Sequence, residues 1–248
     1  MPDPAARLWA AAREFRGAAV ALAAALILHV FVFEPFTIPS DSMEPALRVG
    51  DYMIVSKSSY GWSRHAFPWD LAPFRGRILD RTPRRGDVIV FKLPRDGRTD
   101  YVKRLIGLPG DRVQMIHGVV FVNGAPLRQQ VLGPAVDPDL PSRPVIAVRE
   151  TLPDGASHVI LRDPQDREGD TTGVFRVPEG GYFFLGDNRD NSLDSRWPRA
   201  TGVGMVPGEN LEGKVEFIAF AWRGGASLLD PRTWISRFDP GRMFRKVG

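Results

Sequence analysis

At 248 residues the chain can hold one large domain or two small ones, and 43% hydrophobic residues is an ordinary content for a packed core, so disorder is not the default. A formal net charge of +4, with Lys and Arg scattered among Asp and Glu, forms no basic stripe and gives nucleic-acid binding no support. The absence of cysteine excludes disulfides, a cysteine nucleophile and thiolate metal sites, and leaves the redox compartment open.

The first element is an apolar run over residues 17–33 that contains no Asp, Glu, Lys or Arg. As a helix it reaches roughly 26 Å, at the short end for a hydrocarbon core of about 30 Å, and it spans if its ends snorkel or the bilayer thins. Arg7, Arg13 and Arg16 precede it and only Glu34 flanks its other end, so the positive-inside rule keeps residues 1–16 cytoplasmic and sends the rest across. A cleavable signal peptide is the rival reading, but Glu34-Pro35-Phe36 stands where a small-residue cleavage site is needed. His29 reads as a helix-face residue reaching the interface rather than a ligand.

Residues 36–47 follow directly. Pro39 and Pro45 fix their own φ and bias the preceding residues toward extended geometry, so Ser40 and Ser42 are expected on a stiffened, non-helical segment with both hydroxyls on one side. One could attack a carbonyl while the other donates to the oxyanion; the plainer alternative is a pair of loop or N-cap serines.

The remainder reads as many short strands and turns. Asp51 to Val55 is a strand and Ser58 to Trp62 a turn. Residues 60–80 carry Trp62, Phe67, Trp69 and Phe74 among Arg64, Arg75 and Arg77, which suits either a membrane interface or a loop whose rings plug a core. Arg84 to Leu93 is a turn feeding a strand buried on both faces. Tyr101 to Lys103 continues the β pattern up to the turn signal Gly107-Leu-Pro-Gly110, and residues 113–122 form a hairpin through His117-Gly118, closed by Asn123-Gly124. Residues 125–173 are either an inserted β-subdomain or a long loop. Gly181 to Leu185 and Gly213 to Phe220 read as further strands, and the order predicts a mostly β fold: a transmembrane helix over 17–34, then a β-rich domain over 35–248.

Serine needs a base, and the four histidines, His29, His65, His117 and His158, stand in no triad context; Gly-x-Ser-x-Gly is also absent. Lysine can act only as the neutral amine. With an ordinary pKa near 10.4, a thousandfold gain in acidity takes about 4 kcal/mol of destabilisation of the ammonium, which burial supplies. Lys103 has Tyr101, Val102, Leu105 and Ile106 around it, while Arg104 points to the other face of the strand and stays hydrated or paired; on these residues alone Lys103 reads as a surface lysine. Asp187, Asp190 and Asp194 lack the glycine and glutamate spacing of an EF-hand, so no metal is expected.

Three stretches in this order, residues 36–47, Asp100 to Asp111 and Gly186 to Arg196, resemble the bacterial type I signal peptidases, and the likeness runs from the apolar segment to about Phe220. The resemblance implies a serine endopeptidase with a Ser-Lys dyad that removes signal peptides from exported preproteins after small residues of the Ala-x-Ala type. It implies Ser42 as nucleophile, Lys103 as general base, Ser40 as oxyanion-hole hydroxyl and Ser192 as the hydroxyl that orients the lysine. It further implies the pairs Asp194 with Arg196 and Asp187 with Arg104 as supports, and Phe36, Ile38, Pro39, Met43, Leu47, Tyr101 and Val102 as substrate-pocket positions. No cofactor is expected. The partners are exported preproteins and the lipid bilayer, without nucleic acid, and the chain is expected to be a single-pass, monomeric inner-membrane protein with its catalytic domain periplasmic. Two other readings stand beside it: a self-cleaving Ser-Lys repressor, which needs a DNA-binding domain not seen here, and a membrane-tethered periplasmic β-domain acting as a non-catalytic adaptor.

Overall fold

Strands dominate the chain, as the run of β-branched and aromatic residues between glycines and prolines requires. The computed structural model describes residues 13, 15–17, 19–22, 31–67, 76–137, 141–223, 230 and 232–247. Its strands are β1 (Phe33–Thr37), β2 (Asp51–Ser56), β3 (Trp62–Ser63), β4 (Arg77–Ile78), β5 (Val88–Lys92), β6 (Asp100–Gly107), β7 (Arg112–Ile116), β8 (Val119–Val122), β9 (Ala125–Pro126), β10 (Arg128–Val136), β11 (Pro144–Thr151), β12 (Ser157–Arg162), β13 (Phe175–Arg176), β14 (Gly181–Leu185), β15 (Val206–Pro207) and β16 (Leu211–Ala221). The principal sheet has seven strands in the order β1-β2-β16-β5-β6-β14-β15. The last strand among the described residues, β16, therefore lies in the middle of the sheet, antiparallel to both β2 and β5.

The expected two-sided burial of residues 88–92 is observed. Val88 and Val90 enter a core with Met43, Leu47, Met53 and Val55, whereas Ile89 and Phe91 enter a second core with Leu105, Phe184 and Leu211. A third core, around Ile106, Met115, Val120 and Phe183, joins the principal sheet to the β7–β8 hairpin. Both turns of that hairpin region sit where His117-Gly118 and Asn123-Gly124 predicted them. All four residues have positive φ, which is what the right-handed twist of a two-residue hairpin turn demands.

Three expectations are revised or decided. The membrane helix was expected to reach residue 34, but Phe33 and Glu34 already belong to β1, paired with Ser56 and Val55. Most of the 17–33 run lies outside the described residues, and among those described no helix is long and apolar enough to cross a membrane. The segment of Ser42 is not extended: Asp41–Met43 is a 3₁₀ turn that starts from an extended Ser40. Prolines at positions 39 and 45 bracket this turn without entering it, so their bias governs its flanks only. Within residues 125–173, β10, β11 and β12 form their own antiparallel sheet rather than a loop.

The stretch after residue 220, which carried no sequence signal, folds back on β16. Helix α1 (Arg232–Ser236) lies there, and Arg242 makes a two-pronged ion pair with buried Asp51, Nε to Oδ1 at 3.0 Å and Nη2 to Oδ2 at 2.5 Å. Val247 completes the core that holds Met43 and Leu47. Of the aromatic loop, residues 68–75 lie outside the described residues. Phe67 packs edge-on against Phe31 at 5.6 Å, and Trp62 Nε1 donates to the Phe31 carbonyl at 2.7 Å, which ties this loop to the end of the apolar run.

Candidate active site

Strand β6 fixes Lys103 between β5 and β14, opposite Ile89, and so holds its amine beside the 3₁₀ turn of Ser42. The lysine is 3% exposed. Its Nζ donates to Ser42 Oγ at 2.6 Å and to the Val102 carbonyl at 3.1 Å, and lies 5.4 Å from the centre of the Tyr101 ring. Burial lowers the Lys103 pKa to about 8, against the opposing pull of the Asp194 and Asp187 carboxylates and with help from Arg196. An amine so placed is neutral in about a tenth of molecules at pH 7, against one in a few thousand for a free lysine, and in that form the 2.6 Å contact reverses, the serine hydroxyl donating to nitrogen. Ser40 Oγ stands 3.3 Å from Ser42 Oγ, on the open side of the turn.

Gly186 to Arg196 wraps this pair from behind. The Asn188 N–H donates to the Ser42 carbonyl at 3.1 Å. Gly186 has no alternative: a Cβ there would lie 2.2 Å from Ser192 Oγ and 2.6 Å from the Ser42 carbonyl oxygen. Asp194 accepts from the Gly186 N–H at 3.1 Å and from Arg196 Nε and Nη2, both at 2.9 Å. Burial alone would raise its pKa, but the Arg196 guanidinium outweighs burial and holds the carboxyl below the usual carboxylate range. Asp187 receives Arg104 in a bidentate pair at 2.8 and 2.7 Å, and Arg104 Nη1 also donates to the Gly86 carbonyl at 2.8 Å. Arg104 is therefore buried and paired rather than hydrated.

Ser192 lines the same cavity as Lys103, but the two are not hydrogen bonded; Ser192 Oγ is buried without a partner among the described residues. The Ser192 carbonyl is instead held by Trp197 Nε1 at 3.2 Å. The cavity has a volume of about 560 Å³ and opens over Ser42, with Pro39, Tyr101 and Val102 of the expected pocket residues on its wall. Ile38, Met43 and Leu47 are core side chains, 0 to 3% exposed, and Phe36 packs against that core. None of these four lines the cavity. Their burial follows from the 3₁₀ turn, which drives Met43 inward while leaving the Ser42 hydroxyl beside the lysine.

The sequence reading missed Asp190, Asn191, Leu193 and Trp197 on the opposite wall. The first three lie inside the acidic run already singled out, and that context was the available signal. It also missed Glu150 of β11, whose carboxylate forms a fully buried two-pronged ion pair with Arg189, including Nη1 to Oε2 at 3.1 Å. Arg189 in turn donates to the Gly186 carbonyl at 3.2 Å, and its own carbonyl accepts from Arg196 Nη2. The inserted sheet is thus bonded directly to the loop behind the serine. Among the described residues no group of three or more His, Asp or Glu is arranged to hold a metal.

The family model described as Signal peptidase, peptidase S26, matches residues 12–221. The signal peptidase I of Rickettsia typhi is 36% identical over 253 residues, covering 95% of this chain and 93% of its own length. That of Rickettsia massiliae is 37% identical over 241 residues, covering 90% and 88%. A crystal structure of a signal peptidase I from Enterococcus faecalis is 30% identical, with a TM-score of 0.34, and covers 54% of this chain and 97% of that one. With a match that runs from ahead of the serine turn to the end of β16, and relatives aligned over nearly their whole length, the chain belongs to the signal peptidase family, peptidase S26.

Proposed function

We propose that the protein is a membrane-anchored serine endopeptidase that removes signal peptides from exported preproteins, with Ser42 as nucleophile and Lys103 as general base. The observation that carries this reading is the buried 2.6 Å contact between Lys103 Nζ and Ser42 Oγ at the base of an open cavity. In the forward step the neutral amine takes the hydroxyl proton as Oγ adds to the scissile carbonyl. The resulting ammonium then protonates the leaving amine, and the acyl-enzyme is hydrolysed by a water activated through the same nitrogen. The mixed apolar wall of Pro39, Tyr101 and Val102 suits a small side chain before the scissile bond, in keeping with Ala-x-Ala sites.

The test is cleavage of a preprotein by the purified full chain in detergent. Wild type should cut after the Ala-x-Ala site, and Ser42→Ala should not cut at all. Equal rates for the two would remove Ser42 from the chemistry, and no cleavage by either would favour the alternative reading as a tethered adaptor domain.

Ser40→Ala should lower kcat by ~10²- to 10³-fold with a much smaller change in KM, because an oxyanion donor acts mainly in the transition state. A fully active Ser40→Ala enzyme would leave that task to backbone N–H groups.

The membrane anchor rests on the charge-free run 17–33 with Arg13 and Arg16 before it, and on the exposure of Val20 and Leu22 within it. Protease added outside spheroplasts is expected to digest the β-rich body and spare residues 1–16. A protected body would reverse the orientation.

A further inference from the structure

A second cavity, of about 170 Å³, shares no wall residue with the one over Ser42. Its lining includes Ala46, Arg104, Ser157 and His158, with Arg245 and Lys246 of the C-terminal stretch, and no carboxylate lines it. His158 is 7% exposed, and neither ring nitrogen has a hydrogen-bond partner among the described residues. Its nearest carboxylate oxygen, Glu150 Oε1, is 3.5 Å away, and that carboxylate is taken up by Arg189. Both ring nitrogens are closed off from solvent and Nε2 faces the Glu150 carboxylate, so the imidazole lines the cavity without offering it a donor.

The neighbouring groups specify what could enter. Arg104 spends three N–H groups on Asp187 and the Gly86 carbonyl, and a guanidinium has five, so two remain. Asp187 balances the Arg104 charge and Glu150 balances Arg189, so the buried part of the site is close to neutral. Arg245 and Lys246 are exposed and make no ion pair among the described residues, so the surplus charge at the rim is positive. Cationic residues therefore line the cavity from β6 and from the C-terminal stretch, with no acid on its wall to receive a cation or an amine.

We propose that this cavity binds a phosphate group, free or as the headgroup of a lipid. A tetrahedral oxyanion accepts from several directions at once and matches guanidinium geometry. Arg104 would hold it at the floor, next to the His158 ring, and Arg245 and Lys246 at the rim. The bound group would rest between Ala46, four residues after the nucleophile, and Arg104, the neighbour of the general base.

The test uses the full chain in an uncharged detergent. Histidine ring resonances are followed by NMR, with the His158 signal assigned as the one missing from His158→Asn. Inorganic phosphate should shift that signal saturably, more than chloride at equal ionic strength. The double variant Arg245→Gln, Lys246→Gln, which alters exposed side chains only, should weaken binding about tenfold or more, the effect of losing charge-assisted hydrogen bonds. Arg128→Gln, on the inserted sheet, should bind as wild type does. A second arm replaces phosphate with mixed micelles of phosphatidylglycerol, using diacylglycerol as the phosphate-free control. A response there but not to inorganic phosphate identifies a lipid headgroup, and a response to inorganic phosphate shows that the free ion suffices. No shift of His158 in either arm, or equal affinity in the double variant, overturns the site.

Discussion

Replacing Lys103 with arginine is expected to abolish preprotein cleavage as completely as replacing it with alanine or methionine. Guanidinium keeps its proton above pH 12, so the variant retains charge and hydrogen-bond donors but has no lone pair for the Ser42 proton. In the unaltered enzyme kcat/KM should fall about tenfold per pH unit below an apparent pKa near 8, because acid refills the amine. Stability rises with pH through the same group, over a window that starts where activity reaches its plateau. Below pH 8 the folded protein carries a buried ammonium at a penalty, and between about 8 and 10.5 the unfolded chain holds a proton that the folded chain has released. Lys103 therefore makes the fold more stable as pH rises through that window, and its penalty is fully present below it. Lys103→Met should lift the penalty, on the order of 3 kcal/mol, and melt higher at pH 7 while being inactive. A Lys103→Arg protein that melts cooperatively and cleaves at the wild-type rate would remove the lysine from the mechanism.

Glu150→Ala is expected to be the most destabilising single change in the inserted sheet. It leaves Arg189, one of the largest fully buried side chains, charged and without its carboxylate, a situation that costs about 3–5 kcal/mol. Burial would raise the Glu150 pKa, but Arg189 overrides it and holds the group far below the usual carboxylate range, so the pair stays ionised across physiological pH. The measurement is chemical denaturation, with cleavage followed in parallel. Glu150→Gln should lose less stability, because the amide oxygen can still accept, and its kcat should drop more than its KM rises. That split marks displacement of the Gly186 to Ser192 loop rather than loss of substrate binding. Unchanged stability in Glu150→Ala would show that Arg189 finds another partner.

These two residues also show where sequence reading reaches and where it stops. Lys103 was legible only through the resemblance of its contiguous stretch, Asp100 to Asp111, to the signal peptidases; on its apolar neighbours alone it reads as a surface lysine. Glu150 was not: a lone acid in an eight-residue strand looks like a solvated face, and its partner is 39 residues away. The hairpin at residues 113–122 could be placed because the two-residue turns at His117-Gly118 and Asn123-Gly124 demand positive φ. The β10–β12 sheet could not, since β10 carries Gly133, Pro134 and a register shift between Val131 and Gly133 that blur its alternation. The 3₁₀ turn at Asp41–Met43 was hidden for a related reason: prolines announce what their neighbours avoid, and the residues between them were left free.

The central place of β16 has a consequence for how the chain is made and how it fails. Until residues 211–221 exist, the hairpin β1–β2 and the hairpin β5–β6 have nothing between them, and β2 and β5 each present an open row of backbone donors and acceptors. Closing the sheet waits on contacts between segments more than 120 residues apart, such as Val90 with Gly213, so folding is slow and cannot conclude before residues 211–221 are made. A message truncated before codon 211 yields two sticky edges rather than a smaller enzyme, and its product is a substrate for aggregation and for quality-control proteases.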